Sequence, residues 1–453
     1  MAAPSTKDRL RQLLVLAWPV IIARSAQAVI GFADTLMTSP LGEEAIAATT
    51  SGAMNVFAVA ILPMGCVFIV QSFAAQLHAK QDTAAMWRYA HYALLLALLA
   101  GGLGVLAMPF VPGLLALLPH EAAVRAPMGD YIGLRLWALG GMIGVEAIGN
   151  WYGGRENTTL HMRASLLAMV LNVALNYLLI EGHLGAPALG VRGAAIASVL
   201  ATYAAFGYLL LVFLAERRQA PPMGPLRLSE FTRMVRFGLP NGMNWFLEFA
   251  AFLFFLDVVV ADLGTVPLAA MMIVFHVNSI SFMPAFGLSS AGAILSGQAI
   301  GAGRHDEVPA IARLTTQVAA VWMGAVGLLY FSLPDLILRN FAPPTANADA
   351  LVELGGAMLR ISVAWQLFDA VAMVTGETLR SAGDTSWCMW ARLSIAWFVF
   401  TPLSYATVSA SGGDPLVAVW CLVGYLALLA GVLYWRFRGG KWREIELTED
   451  AVV

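Results

Sequence analysis

The stretch "ERRQAPPMGPLRLSEFTRMVR", Glu216 to Arg236, is the one long polar connection in an otherwise apolar chain of 453 residues. It contains prolines and is basic, and it has six apolar segments on either side. A helical membrane span needs ~20 predominantly apolar residues. Twelve segments meet that requirement, approximately at 13–38, 45–76, 88–112, 129–153, 163–181, 191–215, 235–262, 267–298, 311–334, 350–377, 387–409 and 415–435. The expected fold is therefore an all-α membrane protein of twelve transmembrane helices in two pseudo-symmetric six-helix lobes. Residues 1–215 form the N-terminal lobe, 216–236 a cytoplasmic linker, and 237–453 the C-terminal lobe with a short cytoplasmic tail.

Composition supports lipid as the solvent. Hydrophobic residues make up 59% of the chain and charged ones 12%, roughly half the ~25% of soluble domains. The mean hydropathy is +0.75. A net charge of -2 leaves no basic excess for nucleic acid. Cys66, Cys388 and Cys421 are odd in number and lack metal-site spacing, so neither a disulfide framework nor a zinc site is expected. The first apolar segment is too long for the apolar region of a signal peptide and reads as the first span.

Lys and Arg are retained on the cytoplasmic side of a membrane. With the N-terminus inside, twenty of the 26 basic residues fall in inner segments, among them Arg88, Arg380 and Arg392, and only Arg125, Arg192 and Arg339 in outer loops. Arg24, Arg135 and Arg360 lie within or at the ends of spans. An even number of spans with both termini cytoplasmic accounts for this bias, and a plasma membrane is the expected location.

The halves are also alike. A shift of 222 residues sets "LGEEAIAA" (Leu41 to Ala48) on "LGTVPLAA" (Leu263 to Ala270), Gly65 on Gly287 and Gln76 on Gln298. A shift near 227 sets "ENT" (Glu156 to Thr158) on "GDT" (Gly383 to Thr385). Six spans separate the copies, so both run the same way through the membrane. Parallel repeats of this kind occur in secondary transporters.

The stretches "GFADTLMTSPLGEEAIAA", "RFGLPNGMNWFLE", "LGTVPLAA", "SGQAIGAGR" and "WQLFDAVAMVTGETLRSAGDT" resemble the multidrug and toxic compound extrusion (MATE) family, in its NorM-type branch, over about residues 10 to 435. The resemblance implies two lobes around a central cleft. It also implies export of small organic cations in exchange for H+ or Na+, with no enzymatic reaction.

Acids at span depth are few, and an ionisable group there is by default a functional candidate. They are Asp34, Glu146, Glu248, Asp257, Asp369 and Glu377. Glu377 and Asp257 lie near span ends and read as solvated or capping acids. Glu248 and Asp257, nine residues apart, are ~13 Å and about half a turn from each other on an ideal helix. The partner expected for Glu248 is Asp369, an acid in the body of another span of the same half. The resemblance implies that this pair is the cation-coupling site, and Asp34 matches the acid that the family carries in the other lobe. Two close carboxylates without a counter-cation become a proton or Na+ acceptor. Glu248 and Asp369 would ligate metal only if Na+ is the coupling ion.

Asn172 and Asn176, spaced i, i+4, and Asn150 are amides in the first half that face Asp34 or tie helices together. Glu146 and Arg135 are too far apart in sequence to pair, and Glu146 is left without a role. Trp245, Phe282, Trp365 and Gln366 are the cleft candidates for holding organic cations, which ring faces also attract. Trp365 precedes Asp369 by one turn, where Na+-coupled relatives tend to carry a tyrosine. Indole has no oxygen to give Na+, so H+ is the expected coupling ion and no other cofactor is expected.

No G-x-x-x-x-G-K-[ST] is present, so no nucleotide powers the chain directly. Neither H-E-x-x-H nor G-x-S-x-G occurs, which argues against an intramembrane enzyme. A flippase of lipid-linked saccharides would share the architecture but needs basic groups for phosphates, whereas charge at span depth here is mostly acidic. An ion channel would be expected to assemble as an oligomer around a pore. A two-lobe chain encloses its own cleft, and a monomer is expected.

Overall fold

The computed structural model describes residues 5–117, 122–341 and 348–448, and among them there are helices and no strands. In lipid each backbone N–H and C=O must be satisfied within its own segment, which leaves helices as the available form for these apolar runs. The first half comprises α1 (Thr6–Thr38), α2 (Glu43–Phe68), α3 (Val70–Ala79), α4 (Thr83–Ala107), α5 (Val111–Leu115), α6 (Ala122–Trp137), α7 (Leu139–Gly154), α8 (Thr158–Leu179) and α9 (Val191–Gln219). The second comprises α10 (Leu228–Phe254), α11 (Thr265–Gly301), α12 (Val308–Ser332), α13 (Pro334–Arg339), α14 (Ala348–Ser381), α15 (Thr385–Leu393), α16 (Thr401–Ala410) and α17 (Pro415–Arg438).

Among the described residues, ten helical stretches are long and apolar enough to cross a membrane, and α6 with α7 makes an eleventh, bent by 43°. The fourth span is therefore broken at Ala138 rather than continuous over 129–153. The twelfth is α10. Its Asn241, Asn244 and Glu248 lower its hydropathy, but 27 residues at 1.5 Å each span ~40 Å. The predicted twelve helices are all present.

The repeat is visible in backbone geometry. After α1 comes a 3₁₀ turn, Ser39–Leu41, closed by Gly42 at φ 104°. Its equivalent, Ala261–Leu263, is closed by Gly264 at φ 108°. Both glycines adopt a backbone that side chains disfavour, which is why the motif "LG" recurs at these two places.

The chain packs as two compact units. Among the described residues, one holds Ile22–Gly242, and the other holds 5–21 together with 243–448. The packing division thus departs from the sequence division at 216–236: α1 and α10 each contribute to both units. In the first unit a Cβ on Gly65 would lie 2.6 Å from the Cα of Gly242, and Asn241 Nδ2 donates to the Gly65 carbonyl at 2.7 Å. In the second, a Cβ on Gly287 would lie 2.5 Å from Ile21 Cγ1, and Leu13, Leu16 and Ala17 pack with Ala285, Leu288 and Ala291. Gly65 and Gly287, aligned in the repeat, do the same job: each lets a helix of the opposite half approach to backbone contact.

The polar connection is tied down. Glu230 is buried and accepts from Arg88 Nε and Nη2, both at 2.7 Å, and from the Tyr92 hydroxyl at 2.9 Å. Arg88 Nη1 donates to the Met223 carbonyl at 2.7 Å. Arg88 is therefore a buried clamp on the connection.

Candidate coupling sites

In the first unit, Asp34 sits in the C-terminal half of α1, where Thr38 Oγ1 donates to its carbonyl at 2.8 Å. Its carboxylate is buried. Asn172 and Asn176, one turn apart on α8, donate to Oδ1 at 3.1 and 2.6 Å. Ser198 of α9 donates to Oδ2 at 3.0 Å, and Asn172 also donates to Ser198 Oγ at 3.0 Å. Every neighbour is a neutral donor, which suits a carboxylate that accepts and cannot donate. Asn176 Oδ1 is buried without a partner among the described residues, leaving one acceptor unused.

A second buried acid lies elsewhere in the same unit. Glu146 of α7 receives both terminal nitrogens of Arg24 at 2.9 and 3.0 Å, and Asn150 Nδ2 donates to Oε2 at 2.8 Å. His161 Nε2 lies 3.9 Å from Oε1. Asn150 thus serves Glu146 and not Asp34. The fork of Arg24 matches the carboxylate in the bidentate geometry that only a guanidinium provides.

In the second unit, Glu248 of α10 has company different from that expected. Arg392 Nη1, from the last turn of α15, lies 3.1 and 2.9 Å from its two oxygens, and the Tyr425 hydroxyl of α17 donates to Oε1 at 3.1 Å. Asp369 of α14 makes no hydrogen bond among the described residues, and the charges that act on it most are those of Glu248 and Arg392. Glu248 is thus hydrogen-bonded to Arg392 and Tyr425 rather than to Asp369. Arg392, counted among the cytoplasmic charges in the sequence, belongs here; its side chain is 17% exposed. A Cβ on Gly376, two turns beyond Asp369, would meet Arg392 Nη2 at 2.7 Å. A side chain there would make the guanidinium shift.

The backbone around this cluster is irregular. A π-helical turn, Ser394–Phe400, follows α15 directly, and another, Phe255–Val260, follows α10. Wide turns of this type recur at functional sites. Within the first, Trp397 Nε1 donates to the carbonyl of Leu247 at 3.1 Å, fixing the residue beside Glu248. Asp257 lies in the second wide turn and is exposed, so the ideal-helix offset from Glu248 stops applying at Phe254.

Comparison with known proteins places the chain. The MatE family model matches residues 19–178 and 243–406. The chain belongs to the MATE family. It is 29% identical over 447 residues to the "Probable multidrug resistance protein NorM" of Rhizobium meliloti, covering 94% of this chain and 92% of that one. It is 27% identical to the "Multidrug resistance protein NorM" of Burkholderia vietnamiensis, covering 96% and 95%. In fold it is similar to a MATE transporter solved in complex with MaL6, with a TM-score of 0.87, 17% identity and coverage of 96% and 97%. It is also similar to a MOP superfamily transporter from Pyrococcus furiosus, with a TM-score of 0.85, 17% identity and the same coverage.

Several side chains of this MATE transporter stand apart from the roles anticipated for them. Trp365 is 6% exposed, stacked on Phe275 with centroids 6.1 Å apart, and belongs to the core of its unit. Gln366 is buried and donates to Asn278 Oδ1 at 3.2 Å, tying α14 to α11. Both are packing residues in this conformation and offer no surface to a ligand. Phe282 is 39% exposed, and Trp245 is half-buried; these two keep accessible rings. Glu377 is not solvated: it is buried and paired with Arg380 one turn on. Ser198, Arg392 and Tyr425 were not anticipated. Gly376 is the one sequence signal for Arg392, a small residue on the same helix face as Asp369 beside a span bearing a basic residue.

Proposed function

We propose that this transporter is a secondary antiporter of a bacterial inner membrane, exporting small monovalent organic cations in exchange for protons. The observation that carries the reading is the charge of the second unit's cluster. Glu248 and Arg392 offset each other, and Asp369 is left as one carboxylate with no hydrogen-bonded partner. Such a group takes a proton or an organic cation without displacing an existing bond, and it is neutral with either. Because both ligands satisfy the same charge, one excludes the other, which is the requirement for exchange. The names of the NorM relatives supply the drug-like substrate class. Asp34 provides a second group of the same charge in the other unit. Each unit of pH difference supplies ~1.36 kcal/mol per proton. A lipid-linked saccharide is disfavoured, since a net negative cluster repels phosphates.

The test is ethidium uptake by everted membrane vesicles, with a pH gradient imposed in the absence of Na+ and, separately, a Na+ gradient at constant pH. Uptake driven by the pH gradient alone is expected. Uptake that requires Na+ at constant pH would overturn the proposal.

A further inference from the structure

We infer that Arg392 is a tethered counter-cation that sets the ion choice of the Glu248 site: with it the cluster takes a proton or one organic monocation, and without it the cluster becomes a Na+ site. The inference rests on the proposed function, in that it takes this cluster as the coupling site.

The geometry is the argument. A metal ion chelated by a carboxylate sits between its two oxygens, and that position is filled here by Arg392 Nη1, at 3.1 Å and 2.9 Å. Guanidinium donates and has no lone pair to give a metal, so it cannot be a ligand beside Na+. It also repels one. Gly376 leaves the guanidinium its space, and the π-helical turn that follows α15 is tied through Trp397 to the carbonyl of Leu247, beside Glu248.

The charged and titratable groups facing the site come from four helices: Glu248 on α10, Asp369 on α14, Arg392 on α15 and Tyr425 on α17. Two carboxylates and one guanidinium total one negative charge. Remove the guanidinium, and two carboxylates remain with a phenol oxygen close by, the set of hard oxygens and excess charge that a small metal cation requires.

Charge counting gives a test that a merely structural salt bridge would not pass. The readout is ethidium uptake by everted vesicles driven by a pH gradient, with and without Na+. Arg392→Gln should lose uptake by about tenfold or more without Na+ and recover when Na+ is added. Arg392→Lys, which keeps the charge, should remain Na+-independent. Glu248→Gln, which leaves Arg392 facing Asp369 alone, should lose about tenfold or more. The double variant Glu248→Gln with Arg392→Gln returns the cluster to one negative charge and should recover to within about threefold of wild type.

The inference is overturned if Arg392→Gln retains Na+-independent uptake, or if the double variant is no better than Glu248→Gln. Should Arg392→Gln fail to insert, purified wild type decides: ethidium binding, followed by fluorescence anisotropy, should be indifferent to replacing K+ by Na+ at constant ionic strength. Displacement of ethidium by Na+ in wild type but not in Asp369→Asn overturns it. Absence of pH-driven uptake by wild type sinks the proposed function itself, whereas pH-driven wild type with the wrong variant pattern sinks only the role of Arg392.

Discussion

Arg24 with Glu146 in the first unit and Arg392 with Glu248 in the second are arginine–glutamate pairs in units that also hold a candidate coupling aspartate, but the two units arrange them differently. In the first unit the pair, Arg24 with Glu146, is separate from Asp34. Arg24 and Asp34 are ten residues apart on α1, ~15 Å along the axis. In the second unit the pair, Arg392 with Glu248, acts directly on Asp369. Separation leaves Asp34 to be held by neutral amides and a hydroxyl. Adjacency lets one arginine tune a neighbouring acid. A salt bridge within a membrane can thus serve as scaffold or as part of a switch, according to what lies next to it.

The contrast makes predictions of decreasing size. Glu146→Ala should be the most damaging to stability, since it strands Arg24 among buried groups at a cost of ~3–5 kcal/mol. A marked fall in the thermal unfolding midpoint of the detergent-solubilised protein is expected, with much of it regained in a double Arg24→Met, Glu146→Met variant. If Glu146→Gln instead folds as well as wild type and abolishes pH-driven uptake, the first pair is also part of the coupling machinery and the contrast fails. Asp34→Asn comes next. Asparagine fills the same space and presents an amide to donors already in place, so insertion should be normal and pH-driven ethidium uptake should fall by about tenfold. Wild-type uptake would remove Asp34 from the mechanism. The smallest effect belongs to Ser198→Ala, which deletes one of three donors to the carboxylate. A loss of ~1 kcal/mol, read as a few-fold change in the ethidium concentration at half-maximal uptake, is expected. A change as large as that of Asp34→Asn would mean that Ser198 does more than donate one bond.

Much of this was legible in the residues. Apolar runs give twelve helices because lipid allows little else, and the i, i+4 spacing of Asn172 and Asn176 places two amides on one face of α8, where they meet Asp34. What escaped is instructive. Arg392 reads as a cytoplasmic charge because span ends are soft by several residues, and a basic residue at the end of nine-residue α15 falls inside that margin. Its partner lies 144 residues away, beyond the reach of any local pattern. The Arg24–Glu146 pair was hidden likewise, since 122 residues separate its members. The bend at Ala138 leaves no proline at the break. Trp365 shares a helix face with Asp369, but spacing along one helix does not say what packs over that face, and the ring is stacked on Phe275 in the core.

The sharing of α1 and α10 between units has a consequence for biogenesis. The residues up to Ile21 are made well before the rest of the unit they join, which resumes at Met243. The first unit, for its part, cannot close around Gly65 until Asn241 and Gly242 have been synthesised. Neither half of the chain is therefore a finished folding unit when its own six spans have been inserted. Domains commonly fold as they emerge, N-terminal first; here the earliest helix must wait in the bilayer for helices encoded in the second half. Either half on its own would lack a helix end that the other supplies.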